Sequence, residues 1–423
     1  MSTIPHGTTP GFAPDRALLA RDSDTFDALV VRRSTSLFVN DLRTLRRNIA
    51  DRICGKRILV VGGGGTIGSM TTRLVLSYAP AAVHVIDQSE NYLAELVRDL
   101  RNQPEGVEGI DLRMFPLDYG SSVVERLLRE APRYDIVLNF AALKHVRSEK
   151  DVYSLLQMLD TNIVRHARFK KWLAAYGHGE TYFAVSTDKA ANPSSLMGAS
   201  KRLMEDLVFG CSTEGSRSTT SARFANVAFS NGSLLQSFLQ RLAHRQPLAV
   251  PRSTRRYFVS QREAGELCIL AAFAIPDRHI AIPRMDPEAE LQELESVATR
   301  LLEHFGLVAE PMEDEASARQ SVDALAREGR WPLLLTPLDT SGEKPYEEFV
   351  GEGEVAVEIG MTGVRALAHT GTRPLGLGLF ERLASLIDHA DTPVTKADIV
   401  DAIRQNIPNF RHIETGRNLD DRS

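Results

Sequence analysis

A short apolar run breaks off into four glycines and resumes as a helical pattern (ILVVGGGGTIGSM, 58–70), and few folds accommodate that order. Gly62, Gly65 and Gly68 fall in the spacing G-x-x-G-x-x-G, with Thr66 and Ile67 between them. Strand, glycine turn and helix in succession bring bare backbone and a helix N-terminus to one point. There the N–H groups and the helix dipole favour the phosphates of a dinucleotide. The next apolar run, 83–87, ends on Asp87, about 20 residues on, where an acid takes the hydroxyls of an adenosine ribose. Asp87-Gln88-Ser89-Glu90 contains no Arg or Lys to receive a 2′-phosphate, so the sequence predicts NAD and not NADP.

The same rhythm continues along the chain. Apolar runs at 57–61, 83–87, 111–117, 135–140 and 181–185 alternate with helical patterns at 67–78, 90–102, 121–130, 151–175 and 196–210. Short apolar strands separated by helices predict an α/β protein, a Rossmann-type doubly wound parallel sheet covered on both faces. Residues 1–20, rich in Pro, Gly and Thr, read as a mobile arm, and 38–53 as a helix with Asn40 or Asp41 as its cap. Past Arg223 the rhythm loosens, with helical patterns at 289–306, 314–328 and 396–406. We expect an N-terminal arm and helix (1–52), an NAD-binding domain (53–225), a smaller mixed substrate-binding lobe (226–350, partly interleaved with it) and a C-terminal extension (351–423).

Composition narrows the partners. A net charge of −5 gives no global basic field for nucleic acid or an anionic membrane. The basic stretch Arg241, His244, Arg245, Arg252, Arg255 and Arg256 lacks interleaved aromatics and suits a diphosphate better than a nucleic acid. The longest apolar run, 267–276, is about half of what a membrane-spanning helix needs. The first residues carry no apolar signal core, and Cys54, Cys211 and Cys268 match neither a disulfide framework nor a zinc pattern. These features predict a cytoplasmic protein without a transmembrane segment or a metal.

After the strand at 181–185, Ser186-Thr-Asp-Lys189 places a hydroxyl, an acid and an amine at a strand's carboxyl end, the edge where open α/β sheets bind ligands. The helix that follows begins Met197-Gly-Ala-Ser-Lys201. The glycine spacing, STDKAANP (186–193) and a residue four before Lys201 resemble the extended short-chain dehydrogenase/reductases. More narrowly, the chain resembles the nucleotide-sugar 4,6-dehydratases of polysaccharide and glycan biosynthesis, chiefly the UDP-N-acetylglucosamine 4,6-dehydratases. The blocks that carry this are NFAALKHV (139–146), Thr161-Asn162, STDKAANP, MGASKRLMED (197–206), RFANV (223–227), RRYF (255–258) and SGEKPYEEF (341–349). Met197 stands where the superfamily usually has Tyr, and one branch of these dehydratases has Met there.

The resemblance implies a redox-neutral reaction on a UDP-hexose. Hydride leaves sugar C4 for NAD, the resulting ketone acidifies the C5 proton, loss of that proton and the C6 hydroxyl gives an enone, and the hydride returns to C6. Lys189 is implied as the C5 base, Asp188 as the acid at C6, and Lys201 as the group at the nicotinamide ribose. Met197 cannot exchange protons, so the C4 hydroxyl proton leaves through Thr187, a water or the cofactor ribose; Met197 also reads as core packing. Beside Asp87, the resemblance places Gln88, Ser89, Asp118 and Tyr119 along the cofactor, together with Ala141, Ala142, Asn162 and Ser186. It places Lys144, His145, Asn226, Val227, Arg256 and Glu343 near the sugar nucleotide. His145 reads there as structural and not as an acid or base.

Two matters stay open at this level. Intrinsic pKa values of about 10.4 for Lys and 3.9 for Asp are in the wrong order for the implied roles. Burial would correct both, while the mutual attraction of Lys189 and Asp188 would oppose the correction. The fold also serves nucleotide-sugar 4-epimerases and reductases, which do not need an Asp-Lys pair beside C5 and C6, and it could serve as a non-catalytic NAD-binding scaffold. A homo-oligomer is expected, as in the resembled family.

Overall fold

The computed structural model describes residues 23–102, 107–144, 149–210, 218–339, 342–369, 377–388, 393–407, 410–412 and 414. Its first six strands are β1 (Arg57–Val61), β2 (Ala82–Asp87), β3 (Asp111–Pro116), β4 (Ile136–Asn139), β5 (Thr181–Val185) and β6 (Ser218–Ala222). There follow β7 (Asn226–Val227), β8 (Leu248–Pro251), β9 (Arg255–Arg256), β10 (Phe258–Val259) and β11 (His279–Pro283). The last are β12 (Gln292–Glu293), β13 (Val308–Met312), β14 (Arg330–Thr336), β15 (Ala356–Val357) and β16 (Val364–Ala368).

Nine of these form one sheet in the order β15-β16-β11-β6-β5-β4-β1-β2-β3. Pairing is parallel from β3 across to β11 and antiparallel at β16 and β15. β1, β2 and β4 are almost wholly buried, as expected of strands covered on both faces. On one face the helix Gln261–Phe273 packs against Thr66–Leu76, close enough that a Cβ at Gly265 would meet Met70 Cγ at 2.7 Å. That helix contains most of the apolar run at 267–276, which is therefore core. Ser260 and Glu263 close a capping box at its start.

A smaller lobe is built on a parallel sheet, β13-β14-β8, flanked by the helices Leu294–His304 and Glu315–Arg327. Phe26 and Val30 of the helix Ser23–Val31 pack into its core with Trp331. The helices Leu377–Asp388 and Lys396–Arg404 bury Leu383, Ile399 and Ile403 against Val152–Leu159 and Leu196–Gly210. Among the described residues, no helix is long and apolar enough to cross a membrane.

Several elements differ from the sequence reading. The helix Val39–Ile53 has Phe38 at its cap position, with no side-chain cap. Asp41 is instead buried, and its carboxylate accepts from the backbone N–H groups of Thr362 and Gly363, both at 2.7 Å. The pattern at 289–306 divides, because Gln292 and Glu293 pair with β9 before the helix begins at Leu294. The pattern at 151–175 is interrupted by a π turn, Asp160–Val164. The sequence pattern gives no strand at β6 or β11. β6 reads STTSA, so buried hydroxyl residues hide the strand signal; Ser221 Oγ donates to Ala184 O at 2.7 Å. The large sheet also takes β11, β15 and β16 from residues beyond 225, so sheet and lobe alternate along the chain.

Candidate active site

The strand order reverses between β1 and β4, and loops from the carboxyl ends of both open a cleft there, the usual ligand crevice of such sheets. Two glycines of the loop are required by contact. A Cβ at Gly62, whose φ is +72°, would meet Ala141 N at 2.6 Å, and one at Gly68 would meet Gly62 O at 2.4 Å. The absence of both side chains leaves bare backbone at the start of the helix Thr66–Leu76, the cradle a pyrophosphate needs. Asp87 Oδ2 accepts from Gly64 N–H and Oδ1 from Ser89 N–H, each at 2.9 Å, so the carboxylate is fixed at the rim of this cradle. A dinucleotide fits this donor set.

The outer half of the cleft is lined by Asp87, Gln88, Asp118, Tyr119, Ala141 and Ala142, among others. Two expected cofactor residues stand behind the wall instead. Ser89 Oγ caps the next helix, accepting from Tyr92 N–H at 3.3 Å. Asn162, turned inward by the π turn, accepts from Leu143 N–H and donates to Leu143 O, each at 2.9 Å. It also donates to Ser200 Oγ at 3.0 Å, so it ties the wall loop to the helix Leu196–Gly210. Arg165, which the sequence did not single out, enters this half, held by Asp160 at 2.5 Å and by Asp118. Its stem occupies the space that a Cβ at Gly120 would need, 2.6 Å away.

The inner half has a volume of about 340 Å³ and brings together Thr187, Asp188, Lys189, Met197 and Lys201. Gly65, Thr66, Ile67, Ser186, Lys144, Asn226 and Val227 share its wall. Thr187 Oγ1 donates to Asp188 Oδ1 at 2.9 Å, and Lys189 Nζ donates to the same oxygen at 3.0 Å. Asp188 is buried, and Glu347 brings a second carboxylate to 3.8 Å from Lys189 Nζ. Burial by itself lowers the Lys189 pKa, but Asp188 and Glu347 outweigh it and the net displacement is upward. In the free site Lys189 is therefore a cation. A Cβ at Gly198 would meet Lys189 O at 2.5 Å, which explains the glycine after Met197.

Lys201 lies in the following helical turn, with Nζ donating to Val185 O at 2.6 Å. Burial brings its pKa down to about 8, with Glu205 opposing. Met197 is 3% exposed and serves both the core and the cleft wall. Its N–H donates to Glu149 Oε1 at 3.0 Å, and burial pushes the Glu149 carboxyl up. Beneath the floor, Ser186 Oγ donates to Glu205 Oε1 at 2.6 Å, and Glu205 is paired with the wholly buried Arg223. The sequence singles out neither member of that pair, although Glu205 lies in MGASKRLMED and Arg223 in RFANV. Among the described residues that line the two halves, Arg256 and Glu343 do not occur. Arg256 instead donates to Pro345 O and Lys344 O, at 3.1 and 3.0 Å. His145 lies outside the described residues.

Comparison with known proteins places this geometry in context. A family profile described as polysaccharide biosynthesis protein matches residues 58–364. An uncharacterized membrane protein of Methanocaldococcus jannaschii is 29% identical over 305 residues, 71% of this chain and 82% of that protein. The probable polysaccharide biosynthesis protein EpsC of Bacillus subtilis is 25% identical over 311 residues, 73% of this chain and 47% of its own length. The chain thus spans about half the length of that relative. A UDP-N-acetylglucosamine 4,6-dehydratase (inverting) of Campylobacter jejuni is 28% identical over 258 residues, 59% of this chain and 72% of that one. Among solved structures, DesIV, a dTDP-glucose 4,6-dehydratase from Streptomyces venezuelae with NAD and TYD bound, is similar at a TM-score of 0.53 and 17% identity. That match covers 84% of this chain and 97% of the other, and it establishes the common fold.

Proposed function

Because the chain belongs to the polysaccharide biosynthesis family, the nucleotide-sugar 4,6-dehydratases and epimerases of the extended short-chain dehydrogenase/reductases, we infer that its cleft acts on a nucleotide sugar. From that premise we propose that it dehydrates a nucleotide-activated hexose, UDP-N-acetylglucosamine first among them, to the 4-keto-6-deoxy sugar with NAD as resident cofactor. The observation that carries this reading is the Thr187–Asp188–Lys189 hydrogen-bonded chain, facing the same cleft as Lys201 and the glycine cradle. A 4-epimerase has no use for an acid and an amine beside C5 and C6.

The bare backbone at Gly62 and Gly68 would hold the pyrophosphate, Asp87 the adenosine ribose and Lys201 the nicotinamide ribose. NAD, when bound, supplies the acceptor for the C4 hydride and its return to C6. Lys201, cationic below a pH of about 8, stabilises negative charge developing on the C4 oxygen. The Thr187 hydroxyl, already bonded to Asp188, offers the C4 hydroxyl proton a path. Entry of the sugar excludes water, and exclusion of water disfavours charged forms. Once the C4 proton, relayed through Thr187, has neutralised Asp188, Lys189 loses the partner that holds its charge and releases its ammonium proton to solvent, which leaves a neutral amine beside a neutral acid. The amine takes the C5 proton, the acid protonates the C6 oxygen as it departs as water, and after hydride has returned to C6 the Lys189 ammonium gives a proton back to C5.

The test is substitution. Asp188→Asn and Lys189→Ala should abolish dehydration while calorimetric NAD binding persists, because neither group is assigned to the cofactor. Retained dehydration in either variant would remove the pair from the reaction, and a product of unchanged mass with inverted C4 would identify an epimerase.

A further inference from the structure

The Asp188–Lys189 pair is overlain by a second segment from far along the chain. Residues 342–349 rest directly on the turn after STDK: Gly342, at φ +74°, lies so close that a Cβ would meet Ser195 Cβ at 2.7 Å. Ser194 Oγ donates to Gly342 O at 2.9 Å, Lys344 Nζ donates to Asn192 O, and Asn192 Nδ2 donates to Glu348 Oε2 at 2.9 Å. From the other side, the Arg256 guanidinium braces Lys344 O and Pro345 O. A segment fastened at this many points holds its side chains in fixed places.

The side chain it delivers to the pair is Glu347, 6% exposed, with Oε1 3.8 Å from Lys189 Nζ and Oε2 4.0 Å from Lys344 Nζ. Two carboxylates brought under cover together repel unless cations lie between and around them. Here Lys189 lies between Asp188 and Glu347, while Lys344 and Arg256 face Glu347 from its own segment and from β9. We propose that Glu347 is a positioning residue: with Asp188 it clamps the Lys189 ammonium at the cleft and sets the pH at which that lysine releases its proton.

The directions of titration agree with the geometry. Burial raises the Glu347 carboxyl against the pull of Lys189, with Asp188 adding to the rise and Arg256 and Lys344 opposing it. At Lys189 burial is outweighed by Asp188 and Glu347, with Arg256 opposing them. The proposal rests on the reading of Lys189 as the C5 base, but the clamp can be measured without any substrate.

The experiment is acetylation of the 423-residue chain by acetic anhydride across a pH series, with Lys189 followed by peptide mass spectrometry. In Glu347→Gln the labelling midpoint of Lys189 should fall by about one pH unit, giving about tenfold faster labelling below both midpoints. Glu347→Asp, which keeps the charge on a shorter stem, should fall less, and it carries the test if the Gln variant does not fold. An unchanged midpoint in the folded variants overturns the clamp. Faster labelling at every pH with the same midpoint reports exposure alone and overturns it too. A lowered midpoint in a protein that dehydrates no nucleotide sugar would leave the clamp standing and sink the proposed reaction.

Discussion

Glu354→Gln tests how the floor of the site is held. Arg223 is wholly buried, and each of its N–H groups has an acceptor. Nε and Nη2 meet Glu205 at 2.9 and 2.8 Å, Nη1 meets Phe349 O at 2.9 Å and Glu354 Oε2 at 2.5 Å, and Nη2 meets Glu354 Oε1 at 2.8 Å. Burial raises the Glu354 carboxyl, but the hydrogen bonds and charge of Arg223, helped by Arg202, outweigh it and bring the pKa from 4.5 to about 2. That displacement corresponds to roughly 3 kcal/mol of folded-state stabilisation at neutral pH. Because the folded value is the depressed one, the contribution is complete above a pH of 4.5 and is lost as pH falls toward 2. Urea unfolding of both proteins, followed by circular dichroism over this range, should give a gap of roughly 3 kcal/mol at neutral pH that closes in acid. A gap below about 1 kcal/mol at neutral pH, the level of a solvent-screened pair, would refute the reasoning, as would a gap indifferent to pH.

Two further outcomes follow from the cleft. Asp87→Ala should reduce the preference for NAD over NADP about tenfold in calorimetric titration, the loss expected for charged hydrogen bonds to a ribose; equal affinities in the unmodified protein would contradict the cofactor assignment. Met197→Ala should cost about 2–3 kcal/mol of stability in urea, as a truncated core side chain does, and slow turnover far less than Lys189→Ala, since it removes packing but no proton carrier. Comparable losses of turnover in the two variants would give Met197 a larger part than packing.

What the sequence made legible was chemistry encoded in one continuous stretch. The glycine turn, Asp87 at the end of β2 and the Ser186–Lys189 turn each depend on local spacing, and the structure brings them to one cleft. Residues that reach the site across the fold were not legible. Arg223 and Glu354 act on Ser186 through Glu205, and Glu347 arrives on a segment joined to the turn only by tertiary hydrogen bonds. The protonation balance of Lys189 could not be read from Asp188 alone, because half of its carboxylate environment is Glu347. Asn162 and Ser89 illustrate a related limit: a motif marks the neighbourhood of a cofactor, while the fold decides whether a side chain lines the wall or supports it.

The most direct measurement is the mass spectrum of the product formed from UDP-N-acetylglucosamine in deuterated water, with NADH absorbance followed in the same reaction. A redox-neutral dehydration through the Asp188–Lys189 pair predicts a product lighter by one water, carrying deuterium at C5, with no NADH accumulating. Binding without turnover, or a C4 epimer of unchanged mass, would contradict it.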